Sequence, residues 1–462
     1  VYGVYTEWDC INQVGTLTTD EWGNTNTLEL NAGTYYVKEI TAPMGYAMDY
    51  TTYEVVVTAG QTATVYVQDI PQSDPINILL QKVDSETGLA VPQGDTSLAN
   101  AEFTIKYFSG LYDTNPEDQG IQPTRTWIVI TDSDGFTTLS NEYRISGDEF
   151  YYTSFGQPTF PVGTITIQET KAPEGYLLNS EIFVRKITSD GQDQFIQTYN
   201  APIISEQVMK GSVELYKSDD ESGNALADAV YGIYFHDGTE VGRLTTDEAG
   251  YAKSEEIPYG SYYLQEITAP NGYVLDTTQY PFTIDADGQV AVVETSDKLQ
   301  KGTINIHKAD NESGKPLDNA EYEIYAKEDI VTPEGIVKHT AGELLDTVIT
   351  DENGIAQSEE LYLGAYMVKE KTAPEGYVQD TTEYKVTLSY GDQNQEVIST
   401  SLSTTNANQK GVIQISKTDN ESGKPLANAE YEIYAKENIV TPEGTIKHTE
   451  GEILDTVTTN EN

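Results

Sequence analysis

Three kinds of polar side chain recur in this sequence where apolar ones belong. Alternate residues of a strand share a face. Lys217 therefore continues the face of Val213 and Leu215, Lys308 that of Ile304 and Ile306, and Lys417 that of Ile413 and Ile415; Lys82 ends the related run 78–82. Glutamates behave alike. Glu39 follows Tyr35 and Val37, Glu169 follows Ile165 and Ile167, Glu266 follows Tyr262 and Leu264, and Glu370 follows Tyr366 and Val368. A third position closes a later strand: Asp69 after Val65 and Val67, Asn200 after Ile196 and Thr198, Asp297 after Val293 and Thr295, Asn406 after Leu402 and Thr404. It lies 30, 31, 31 and 36 residues beyond the glutamate.

A lone buried charge costs several kcal/mol, so such groups need partners. One reading is a buried salt bridge capped by an amide, or strand ends that snorkel to water. The other is acyl transfer. A lysine whose pKa is lowered by burial is a neutral amine and a nucleophile. The carbonyl carbon of Asn or Asp is an electrophile. A glutamate raised by the same burial could polarise that carbonyl and carry protons. The product would be an isopeptide bond within the chain, with fixed geometry supplying effective molarities of roughly 10⁵–10⁸ M. Periodicity alone leaves both readings open.

The elements that must position these groups repeat. Glu-x-x-Ala-Pro-x-Gly-Tyr occurs at 39–46, 169–176, 266–273 and 370–377. The lysine strand, followed by an acidic turn ending in Gly88, Gly223, Gly314 or Gly423, also occurs four times. Residues 302–353 and 411–462 align without gaps, 40 of 52 being identical, at a period of 109 residues. Such self-similarity marks tandem modules. They are read as 1–72, lacking its first strand; 73–203; 204–299; 300–409; and 410–462, the first half of a fifth. Short alternating runs broken by Gly, Pro, Asn and Asp, with no long amphipathic helix, predict an all-β chain of tandem Ig-like sandwiches.

With the glutamate phrase, the in-phase lysine and the closing Asn or Asp together, these modules resemble the CnaB-type, or SpaA-like, repeats of Gram-positive surface adhesins and pilins. The resemblance implies a prealbumin-like sandwich and spontaneous bonds Lys82–Asn200, Lys217–Asp297 and Lys308–Asn406, with Glu169, Glu266 and Glu370 as proton shuttles. Loss of ammonia from Asn and water from Asp297 would make the chain about 52 Da lighter than its sequence. It implies single-turnover self-crosslinking rather than an enzyme, and a secreted stalk anchored to the cell wall. Its partners would be peptidoglycan, through a sorting tail outside this sequence, and a host extracellular matrix protein. Departures bear on this. Glu39 and Asp69 have no lysine strand, Lys417 has no glutamate or acceptor, and neither Leu-Pro-x-Thr-Gly nor Tyr-Pro-Lys occurs. A pilus subunit is the alternative.

Composition closes other classes. With 26 basic and 75 acidic residues the formal charge is −49, which repels nucleic acid and anionic membrane surfaces. A single cysteine, Cys10, permits no disulfide framework and no zinc cluster. No apolar run is long enough for membrane insertion. The chain begins and ends inside repeats and is read as part of a longer protein. The turns 132–135 and 285–288 suit β-turn chemistry better than calcium, and neither a metal nor a cofactor is expected. Module two carries an aromatic-rich insertion at about 107–160, expected either to cover an extended sheet or to bind a ligand.

Overall fold

Backbone groups in short alternating runs can satisfy one another only across strands. In the computed structural model, which describes residues 1–189, 191–442 and 444–461, the described residues form 39 strands and one turn of 3-10 helix, Pro116–Gln119. They divide into two compact units: residues 1–213, 255–262 and 281–291, and residues 214–254, 263–280 and 292–462.

In the second unit, module four shows the plan. Its first strand, Lys301–Asp310, pairs in parallel with its last, Val397–Asn406, and antiparallel with Ile355–Gln357 and Leu361–Tyr362. The facing sheet runs in the order Leu344–Ile349, Glu321–Ala326, Gly364–Thr372, Glu383–Leu388. Ile304 and Ile306 from one sheet pack against Tyr322, Ile324, Tyr366 and Val368 from the other. The alternation of types along each strand thus places one face inward and the other in water. Module three repeats the pairing of its lysine strand, Glu214, Leu215 and Tyr216 lying opposite Lys253, Ala252 and Tyr251.

In module five the strands Glu430–Tyr434 and Ile453–Thr458 pair, but residues 411–417 join no sheet and Val412 is 98% exposed. The expected lysine strand does not form there. In module four that strand is held by the closing strand on one side, and none of the described residues of module five supplies its counterpart.

In the first unit, module one has a four-stranded sheet, Gln13–Leu17, Tyr2–Tyr5, Gly33–Glu39, Thr52–Val57, and a two-stranded one, Tyr46–Ala47 with Ile70–Pro71. Module two adds to the plan. Its second sheet has five strands, Arg144–Gly147, Arg125–Ile130, Glu102–Phe108, Gly163–Lys171 and Ile182–Ile187, and a small third sheet joins Ser73–Pro75 to Pro158–Pro161. The insertion builds core: Trp127, Phe150 and Phe160 are buried and pack ring on ring. Of its eleven aromatic residues only Tyr152 and Phe155 are exposed, so it has the character of a sheet cover rather than an open aromatic surface.

Junctions between modules reuse one ion pair. Glu221, four residues past Lys217, lies 3.1 Å from Lys301, 2.8 Å from Lys338 and 2.8 Å from the Tyr362 hydroxyl. Glu312, four past Lys308, lies 3.3 Å from Lys410 and 2.7 Å from Lys447. Glu86, four past Lys82, lies 2.6 Å from Lys210.

Candidate isopeptide site

The three polar positions meet in module four. Strand pairing sets Glu370 opposite Tyr322 and Asn406 opposite Asp310. Lys308, Glu370 and Asn406 are all buried, between the two sheets. Lys308 Nζ is 3.0 Å from Glu370 Oε1. Asn406 Nδ2 donates to Glu370 Oε2 at 2.9 Å and to the Val378 carbonyl at 2.8 Å. The Asp380 N–H donates to the same Oε2 at 2.6 Å, which fixes the carboxyl. Asn406 Oδ1 has no hydrogen-bond partner among the described residues. Burial lowers the Lys308 pKa, favouring the neutral amine. The amine, the amide and a carboxyl that touches both are therefore in place.

Module three presents the acid version. Lys217 Nζ contacts Asp297 Oδ1 directly and lies 3.2 Å from Glu266 Oε1 and 2.7 Å from the Tyr231 hydroxyl. The Asp276 N–H holds Glu266 Oε2 at 2.8 Å. Two carboxyls share one ammonium in a dry pocket, and burial pushes Asp297 up to about 7. A neutral acid is far more electrophilic at carbon than a carboxylate, so this shift suits condensation.

Module two departs from expectation. Lys82 and Glu169 are buried in contact, and the Asn179 N–H holds Glu169 Oε2 at 2.7 Å. Asn200, however, is exposed and outside any strand. The backbone N–H groups of Thr198 and Tyr199 donate to Asp74, and Pro202, which cannot donate to a ladder, precedes the closing strand Ile203–Glu206. The residue beside Lys82 is Glu206, with Oε1 2.7 Å from Nζ. The expected Lys82–Asn200 pair is thus not assembled.

In module one Glu39 is buried, its Oε2 taking the Asp49 N–H at 2.7 Å, and the Tyr2 hydroxyl donates to half-buried Asp69 at 3.4 Å. Burial raises the Glu39 pKa. Lys417 is exposed, 5.9 Å from the Tyr431 ring centroid.

Two supporting layers escaped the sequence reading. An aromatic residue lies beneath each lysine: Phe103, Tyr231 or Tyr322. The Tyr231 hydroxyl bonds Thr295 at 3.0 Å and that of Tyr322 bonds Thr404 at 2.7 Å, tying both to the closing strand. Two residues past each lysine, buried Asp84, Asp219 or Asp310 accepts the N–H groups that form the acidic turn. The tyrosine of the glutamate phrase reaches back to this aspartate, Tyr176 to Asp84 at 3.4 Å and Tyr273 to Asp219 at 2.8 Å. The recurring Lys-x-Asp was the visible signal.

The SpaA prealbumin-like fold domain matches this chain four times, at residues 3–71, 77–202, 211–299 and 302–405. The chain belongs to the SpaA prealbumin-like family. Similar proteins include a collagen adhesin of Staphylococcus aureus, 27% identical over 300 residues, 50% of this chain and 24% of the adhesin. The trypsin-resistant surface T6 protein of Streptococcus pyogenes is 30% identical over 135 residues, 29% of this chain and 22% of that protein. The chain thus spans about a quarter of the length of either relative. Among solved structures, the Bacillus anthracis TIE protein matches with 22% identity and a TM-score of 0.40, over 88% of this chain and 68% of the other. A streptococcal ancillary pilin matches with 18% identity and a TM-score of 0.26, over 72% and 99%.

Proposed function

We propose that this chain is a stretch of cell-surface stalk whose SpaA modules lock themselves with Lys217–Asp297 and Lys308–Asn406 isopeptide bonds. The observation that carries the reading is the convergence of Lys308, Glu370 and Asn406 in one dry pocket. The Lys308 amine attacks Cγ of Asn406, the new C–N bond forms, and the Nδ2 nitrogen leaves as ammonia. Glu370, in contact with both nitrogens, takes the proton from one and returns it to the other. In module three the leaving group is water, and Glu266 moves the proton. Each site turns over once.

A bond closing a loop of 98 residues in module four stabilises by about 4–5 kcal/mol, by analogy with disulfides. It also opposes the unfolding through which proteases reach a folded module. The name of the streptococcal relative, a trypsin-resistant surface protein, supports that role. The collagen adhesin supports a stalk that displays a matrix-binding region of the same polypeptide and is tethered at the cell wall. Digestion of the denatured chain and sequencing of the peptides tests the chemistry. Branched peptides joining Lys308 to Asn406 and Lys217 to Asp297 are expected. Linear peptides carrying free Lys217 and Lys308 would reduce both sites to buried polar clusters.

A further inference from the structure

Module two has the lysine and the glutamate of the site but presents a different acceptor. Three observations single out Glu206. First, its register is that of Asn406: Glu206 lies opposite Asp84 in a parallel pair, as Asn406 lies opposite Asp310. Two residues further on, Val208 bridges Tyr176 as Asn408 bridges Tyr377. Second, Glu206 precedes the next lysine of the series by 11 residues, as do Asp297 and Asn406, whereas Asn200 precedes it by 17. Third, Glu206 is fully buried, with its Oε1 2.7 Å from Lys82 Nζ and neither oxygen in a well-directed hydrogen bond.

We propose that Lys82 and Glu206 condense to an isopeptide bond whose acceptor is a glutamate, with Glu169 moving the proton. The inference rests on the reading given above for modules three and four. Lys82 Nζ attacks Cδ of Glu206, the C–N bond forms, and one carboxyl oxygen leaves as water. Ammonium and carboxylate together hold every atom of that water, so no co-reactant is required. The acceptor is one methylene longer than Asp297, and the pocket compensates. Phe103 stands where Tyr231 and Tyr322 stand in the other modules and carries no hydroxyl. In module three that hydroxyl lies 2.7 Å from the lysine nitrogen; in module two the space is left to the longer acid. Burial pushes Glu206 up to about 7, towards the neutral acid that condensation needs. Reaction also removes a cost, because a buried ammonium and a buried carboxylate are replaced by one neutral amide.

The test is peptide mapping of the denatured full chain by tandem mass spectrometry. The expected product is a branched peptide joining Lys82 to Glu206, lighter than its two parts by about 18 Da. Asn200→Ala should leave it in place. Glu206→Ala should abolish it while the branched peptides of modules three and four persist. Free Lys82 beside intact Lys217–Asp297 and Lys308–Asn406 links would overturn this proposal alone, as would a branch at Asn200 or Glu169. Free lysine at all three positions would overturn the parent reading with it. Since the wild-type map decides the matter, misfolding of the Glu206 variant would not blunt the test.

Discussion

Lys308 and Asn406 lie on neighbouring parallel strands two residues out of register, Lys308 facing Thr404 and Asn406 facing Asp310. The diagonal suits a long lysine reaching forward to a short amide on the same face. It also sets a force path. With the proposed bond in place, tension entering at Lys301 would travel along the first strand to Lys308, cross one covalent bond and leave at Asn406. The 97 residues between the two anchors would then carry no load. Without the bond, the same tension would shear the ten paired residues of the ladder.

Glu370→Ala should leave module four folded and open. Its sandwich rests on Ile304, Ile306, Tyr322 and Val368, none of which changes, and Lys308 can stay neutral in its apolar surroundings. Lost closure should lower stability by about 4–5 kcal/mol. Calorimetry should show an earlier transition, and a denaturing gel should show slower migration of the more expanded chain. Unchanged mobility would remove Glu370 from the mechanism.

The Asp297 carboxyl gives a pH signature. Its ordinary value is 3.8, and burial raises it to about 7 in the folded module. The folded state then binds the extra proton, so stability from this group is complete below about 4 and is lost as pH rises through 7. The loss requires a free carboxyl. Glu266→Gln, which should block condensation but also removes one of the groups that raise Asp297, is expected to show stability falling as pH rises from about 4, over a narrower window than burial beside Glu266 would give, whereas the wild type, with Asp297 tied up as an amide, should be flat there. Urea titrations at several pH values measure both. A wild type that titrates like the variant would mean that Asp297 is free.

Amine acylation separates the lysines. In the denatured chain Lys417, exposed and without an acceptor, should react with an acyl succinimide, while Lys82, Lys217 and Lys308 should stay unlabelled, as the amide nitrogens that the proposed bonds would make them. Labelling of all four after denaturation would show that burial alone protects them in the native state.

The junction ion pairs are expected to limit hinge motion rather than to stabilise modules. Hydrogen bonds from Lys338 chiefly, then Tyr362 and Lys301, hold the Glu221 carboxyl down at about 2. The groups are partly exposed, so screening keeps their contribution to at most about 1 kcal/mol. Glu221→Gln should lower the melting temperature by no more than about 4–8 °C yet speed proteolysis at residues 298–301 several-fold. High salt should produce the same effect in the wild type. An unchanged cleavage rate would mean that the junction is held by its apolar contacts, such as Tyr362 against the cluster of Leu226, Ala269, Tyr273 and Leu299.

Much of this site was legible because strand parity is a local property. Lys308, Glu370 and Asn406 could be placed on one face from alternation alone, and the glutamate phrase recurs without variation in its key letters. Asn200 misled for a physical reason. Its run, Ile196, Thr198, Asn200, alternates, but Pro202 ends any ladder there, and the strand that pairs with Lys82 begins after it. The inward run is Ile204, Glu206, Val208. Spacing to the following lysine would have exposed this; spacing from the preceding glutamate did not. The aromatic beneath each lysine was out of reach, because which residue of one sheet stacks under a side chain of the other depends on how the sheets pack. Lys417 shows the complementary limit, since a correct apolar pattern makes no strand without a neighbour to pair with.

The intact mass of the full chain, measured after denaturation, tests the central claim most directly. Two losses of water, at Lys82–Glu206 and Lys217–Asp297, and one of ammonia, at Lys308–Asn406, predict a chain about 53 Da lighter than its sequence. A mass equal to that of the sequence would contradict the account, leaving the three lysines in buried salt bridges and the modules without covalent closure.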